Sequence, residues 1–173
     1  MMRGFIQSGG LNNWLDQINK AIPLLLPEIT LAITIVLLIV FDLIFQKRKS
    51  VGLISIAAAG LAFTLFLLLQ QWQEVETLTF FNRMLKLSNL AILLKIVFTV
   101  ATGVVLFLII NQQKTRKEYL VSTSEQYVML YTMLIGSFLM TMTMNLLLIY
   151  LGIELVSIAA YIITALKANK NSL

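Results

Sequence analysis

Residues 145–167 read NLLLIYLGIELVSIAAYIITALK. The run is long and apolar enough to cross a bilayer as one helix, since about 20 residues at ~1.5 Å rise cover a hydrocarbon core of ~30 Å. One acid, Glu154, sits in its middle. A charge at that depth costs roughly 2.5–3.5 kcal/mol on insertion scales, so such residues face a bundle interior, a cavity or an opposite charge. Helical spacing puts Tyr150, Glu154, Ser157 and Tyr161 at i−4, i, i+3 and i+7, on one face. A hydroxyl-lined stripe around a carboxyl reads as a proton or ion path. The competing reading is a protonated Glu154 that hydrogen-bonds a neighbouring helix and only holds the fold together.

Working outward, residues 127–166 form one apolar run that is too long for a single crossing. It must be two helices with a tight turn, and Asn145 is its best breaker and a good N-cap for the second. Three earlier apolar runs complete the pattern. The sequence therefore predicts an all-α polytopic transmembrane helix bundle of five spans, at about 22–45, 51–70, 89–110, 126–144 and 145–167. Pro23 and Pro27 suit the opening turns of the first. Ala57, Ala58, Ala59 and Gly60 give the second a small-residue face for close packing. Residues 1–20 are predicted to lie on the membrane surface, with Leu11, Trp14, Leu15 and Ile18 on one apolar face. Alternation of Val75, Thr77, Thr79 and Phe81 in the polar loop 71–87 predicts a short β-hairpin.

Composition agrees. The chain has 173 residues, 59% of them hydrophobic and 12% charged, with a mean hydropathy of +0.90; a soluble domain carries about 25% charged residues. Lys47, Arg48, Lys49, Lys114, Arg116, Lys117, Lys167 and Lys170 fall on one side of the five-span arrangement, and Arg3, Lys20, Arg83 and Lys86 on the other. The positive-inside rule then places the N-terminus outside and the C-terminus in the cytoplasm. The net charge of +5 resides mostly in short loops, so no nucleic-acid partner is expected, and the partner implied is the lipid bilayer.

The chain contains no Cys and no His. That excludes disulfides, Cys-ligated iron–sulfur clusters, His/Cys zinc sites and His-ligated haem within it. Proton chemistry would fall to Glu, Asp, Lys, Tyr and water. No nucleophile–base pair or phosphate loop is present, and no G-x-G-x-x-G follows a strand, so an independent active site is not expected.

Glu154 is the first candidate for such chemistry and Lys95, inside the third span, is the candidate second charge. Thr99 and Thr102 share its face. Two readings of Lys95 stand open: a side chain that snorkels to the interface about 6 residues away, or a buried ammonium in an ion path. In the predicted topology Lys95 and Glu154 differ in depth by only ~5 Å, so a contact between them is allowed. Glu28 and Asp42, near the two ends of the first span, are expected to stay hydrated at the headgroups.

The run from Asn145 to Leu166, with its core Tyr150-Leu151-Gly152-Ile153-Glu154-Leu155-Val156-Ser157, resembles the fifth-helix signature of the antiporter-like membrane subunits of respiratory complex I, and within that group the subunit N (subunit 2) branch. Leu26-Pro27-Glu28 before an apolar run ending at Asp42 is similar to the first helix of that branch, and Phe81 through Lys95 to the approach to its third. Asn171-Ser172-Leu173 looks like the start of a loop that continues into a further helix. One departure is Ser88, which stands where the branch commonly has Asp. The other is length: the family is much longer, with inverted helix repeats, so this chain is expected to be an N-terminal piece of such a subunit.

The resemblance implies a proton-translocating membrane subunit of NADH:quinone oxidoreductase in a bacterial inner membrane, partnered by other membrane subunits of complex I. Glu154 would carry the proton opposite a Lys of a later helix, with Tyr150, Ser157 and Tyr161 ordering water. No cofactor is expected in this chain; NADH, flavin, iron–sulfur clusters and quinone would belong to other subunits. Two alternatives remain at this stage. One is a subunit of a multisubunit sodium/proton antiporter, marked by sodium-dependent proton exchange without NADH-linked activity. The other is a non-catalytic five-helix scaffold, in which Glu154 serves only assembly.

Overall fold

The computed structural model describes residues 25–44, 50–74, 78–80, 85–115 and 123–170. The surface segment expected over residues 1–20 lies outside them. The described residues form five helices: α1 (Leu26–Ile44), α2 (Ser50–Glu74), α3 (Asn89–Thr115), α4 (Thr123–Met142) and α5 (Leu146–Lys170). Between α2 and α3, β1 (Leu78–Phe80) and β2 (Leu85–Leu87) pair antiparallel, with Leu78 opposite Leu87 and Phe80 opposite Leu85. This is the hairpin that the alternation predicts.

Helix ends fall where side chains can cap them. Ser88 Oγ accepts from the Ala91 amide at 3.3 Å and opens α3. Ser and Asp are both favoured N-caps, which gives Ser88 a structural role at its position. Asn145 Oδ1 accepts from the Leu147 amide at 2.9 Å and opens α5, so the long apolar run breaks where the sequence predicts.

Among the described residues, four helices are long and apolar enough to cross a membrane: Leu26–Ile44, Gly52–Trp72, Asn89–Asn111 and Leu146–Ala165. The protein is a multi-pass membrane protein. α4 has similar length but is less apolar, and it sits at the centre. It packs against α1, α3 and α5 and touches α2 and β2. Its stripe of Tyr127, Tyr131, Leu134, Phe138 and Met142 is buried. The Tyr131 hydroxyl donates to the Ala57 carbonyl of α2, where a small residue lets α4 come close.

Small residues set the other seams. A Cβ on Gly60 would stand 2.5 Å from Thr34 Cγ2, so α1 and α2 touch there. Nearby, Thr30 and Thr64 hydroxyls meet at 3.2 Å across the same seam. On the α4–α5 seam a Cβ on Gly136 would lie 2.9 Å from the Gly152 carbonyl oxygen. Without a hydrophobic drive between helices in lipid, such close backbone packing is what holds the bundle together. The outward faces of α1 and α3 are largely apolar, with Ile33, Val36, Leu37 and Val40 on α1 and Val97, Val100, Val104 and Phe107 on α3. An exposed apolar surface of this extent marks a membrane or helix-packing face.

Candidate functional site

The helices place two carboxyls in very different settings. Glu28 stands in the first turn of α1, just after the buried Pro27. Lys95 lies six residues past the start of α3 and has no exposed surface at all. Met142 ends α4, with Phe138 one turn before it. The starts of α1 and α3 and the end of α4 therefore meet on one side of the bundle. There the Lys95 ammonium makes a salt bridge to Glu28 Oε1. It also donates to Met142 Sδ at 3.4 Å and lies 5.4 Å from the centre of the Phe138 ring.

Of the two readings of Lys95 the structure agrees with a buried ammonium, and the expectation of a hydrated Glu28 is corrected. Lys95 does not snorkel, because an acid on the neighbouring helix supplies the counter-charge that water would otherwise give. Glu28 is not hydrated: its side chain is only 12% exposed. Its second oxygen, Oε2, is buried and has no hydrogen-bond partner among the described residues. Charge alone narrows this pairing. Residues 126–142 of α4 and 50–73 of α2 carry no charged side chain, and Lys95 is the one charge in residues 89–113.

Thr99 and Thr102 do not extend the site. Their hydroxyls turn back onto the carbonyls of Lys95 and Phe98, at 2.7 and 2.8 Å. A helix can satisfy a buried Thr in this way without a second helix.

Glu154 faces the other way. It is exposed on α5, as are Tyr150 and Tyr161, and Ser157 is half-buried. Tyr150 donates a side-chain hydrogen bond to Glu154, so the i−4 relation read from the sequence does bring those two together. The Ser157 hydroxyl instead bonds the Ile153 carbonyl at 2.8 Å. The seam residues Gly152 and Ala159 are buried against α4, which turns the Glu154 stripe outward. The contact with Lys95 that depth allowed is not made: Lys95 is enclosed by α1 and α4, and Glu154 points away from both.

Glu28, Phe138 and Met142 were not singled out from the sequence as partners of Lys95. Depth held one usable signal. Glu28 and Lys95 lie about 3 and 9 Å into helices that start on the same side, a gap that a Lys stem covers. No group of three or more potential metal ligands occurs among the described residues.

No protein-family model matches the chain. It is 32% identical over 148 residues to NADH-quinone oxidoreductase subunit N of Chlorobium chlorochromatii, a match that covers 85% of this chain and 28% of that protein. It is 30% identical to NAD(P)H-quinone oxidoreductase subunit 2, chloroplastic, of Chlorokybus atmophyticus, over 81% of this chain and 27% of the relative. To subunit N of Dehalococcoides mccartyi it is 28% identical, over 86% and 30%. The chain thus spans less than a third of the length of the curated relatives it matches. The resemblance to subunit N read from the residues is borne out by these relatives.

Proposed function

We propose that this chain, a homologue of a segment of NADH-quinone oxidoreductase subunit N, forms part of a proton-translocating membrane subunit of that complex. Glu154 is the proton carrier in this reading. The observation that carries it is a carboxyl in the middle of a membrane-capable helix, on a face that the described helices leave uncovered, in a chain with these relatives. An acid at that depth needs a partner. Further helices of the subunit would supply it as an ammonium.

The mechanism follows from the electrostatics of a poorly solvated carboxyl. A cation brought close favours the charged carboxylate, and its withdrawal favours the protonated acid. Movement of the partner's charge therefore loads or unloads Glu154. The Tyr150 hydroxyl orients the carboxyl and, with Ser157 and Tyr161, orders the water that delivers the proton. NADH, flavin, iron–sulfur and quinone chemistry takes place in other subunits, and this chain supplies no redox group. Its partners are the other membrane subunits of complex I, and the bacterial sources of two of the three relatives fit an inner membrane.

The test is Glu154→Gln in the intact complex. Assembly is expected to be normal, and fewer protons are expected to cross inverted membrane vesicles per NADH oxidised. An unchanged ratio in an assembled complex sinks the assignment.

A further inference from the structure

We propose that Glu28 and Lys95 form a second proton-exchange site within the membrane, distinct from Glu154, in which Glu28 Oε2 takes up one proton and the Lys95 ammonium gives up one. The inference rests on the proton-translocating reading above, but on different residues and on geometry that lies wholly within this chain.

The alternative is a passive clamp, and the contacts argue against it. A buried ion pair kept only for structure is stable when every remaining lone pair and N–H is satisfied. This one is not. Glu28 Oε2 is buried with no partner among the described residues, and buried polar atoms left in that state call for a specific explanation. A proton on Oε2 converts it from an unsatisfied acceptor into a neutral O–H.

The ammonium is held lightly as well. Beyond Glu28 its neighbours are a thioether at 3.4 Å and an aromatic face at 5.4 Å. The thioether is a soft partner and the ring adds only a modest attraction for the cation, so neither replaces a second oxygen acceptor. No carbonyl or second carboxylate is recorded on Nζ among the described residues.

Along the helices that surround the pair, few other charges occur. On α1 the next charge is Asp42, at the far end of the helix. On α3, Lys95 is alone through residue 113. On α4 the charge is Glu125, in its first turn and at the opposite end from Met142. Residues 50–73 of α2 have none. The resting pair is neutral, so a net gain or loss of one charge inside hydrocarbon is brief.

The steps balance as follows. Lys95 releases one proton and becomes a neutral amine, leaving the pair at −1. Glu28 then accepts one proton on Oε2, and the pair is neutral again. Transfer of a proton from Glu28 to Lys95 Nζ restores carboxylate and ammonium. One proton has entered at Glu28 and one has left at Lys95, and the cycle runs in either direction.

The experiment replaces the pair by neutral side chains, Glu28→Leu with Lys95→Met, in the complete complex. A buried ion pair replaced by apolar side chains of similar volume is often tolerated, so assembly is expected. The proton-to-NADH ratio is expected to fall below that of the wild type. A normal ratio in the assembled double variant means a clamp and overturns the proposal.

Lys95→Arg guards against a failure of the double variant to assemble. Arginine keeps the ion pair but does not release its proton. A lowered ratio supports exchange at Lys95, and a normal one overturns it. Glu154→Gln is run alongside. A normal ratio there with a lowered ratio in Lys95→Arg would break the Glu154 assignment and leave this one standing; the reverse pattern breaks this one alone.

Discussion

Glu28 and Glu154 are both acids in membrane-capable helices, and the bundle treats them oppositely. Glu28 is enclosed at the meeting point of α1, α3 and α4, with an ammonium, a thioether and an aromatic ring around its ion pair. Glu154 stands on the outer face of α5, with one tyrosine of its own helix on it. The first has its counter-charge within the described helices. The second has a seam of Gly152 and Ala159 behind it and its polar stripe turned away from the bundle. An intramembrane acid can thus belong to the fold of its own segment or be held ready for something beyond it. Which applies depends on the face of the helix rather than on depth.

The comparison breaks most sharply under neutralisation of one acid at a time. Glu28→Leu strands the Lys95 ammonium in a site with no exposed surface. Removing one partner of a buried pair costs about 3–5 kcal/mol. The thermal midpoint of the detergent-solubilised chain should drop clearly. Glu154→Leu should leave that midpoint in place, as changes away from buried features do. Equal shifts for the two variants would show that Glu154 is as enclosed as Glu28.

Much of this architecture could be read from residue order. Asn145 breaks the long apolar run because its side chain can cap the next helix, and that is local chemistry. The hairpin follows from alternation between turn-forming residues, also a local property. Lys95 and Glu28 depended on something else. Whether a Lys six residues into a helix snorkels or stays buried is decided by what the neighbouring helix presents at that level. Adjacency of α1, α3 and α4 is a tertiary fact. The same holds for Met142 and Phe138, which as sequence are ordinary apolar residues of α4. The stripe of Tyr150, Glu154 and Tyr161 was legible from periodicity, but its outward direction is set by Gly152 and Gly136.

That seam gives the next prediction. A side chain at Gly136 would press on the Gly152 carbonyl oxygen at 2.9 Å and on Val156 Cγ2 at 2.9 Å. Backbone cannot yield as a flexible side chain can, so Gly136→Val is expected to cost about 1–3 kcal/mol by overpacking. Cysteine cross-linking between α4 and α5 should then slow, while the Glu28–Lys95 end, built by α1, α3 and the last turn of α4, keeps its cross-linking rate. If both ends loosen together, α4 transmits the strain along its length and the two sites are not independent.

The smallest effect is expected from Tyr150→Phe. The hydroxyl lies on an exposed face and meets Glu154 within one helix, so its loss should leave stability and assembly unchanged. What should change is the carboxyl itself. A hydrogen bond accepted by a carboxylate changes its vibrational bands, and Tyr150 is the donor on Glu154. Infrared difference spectra between acid and alkaline conditions isolate carboxyl bands, and Glu154→Gln identifies which one is Glu154. In Tyr150→Phe that band should move in position, while the band lost in Glu28→Leu stays where it was. Movement of both bands would mean that a change on the open face of α5 reaches the enclosed pair through α4. The two acids would then act as one electrostatic unit rather than as two sites with separate surroundings.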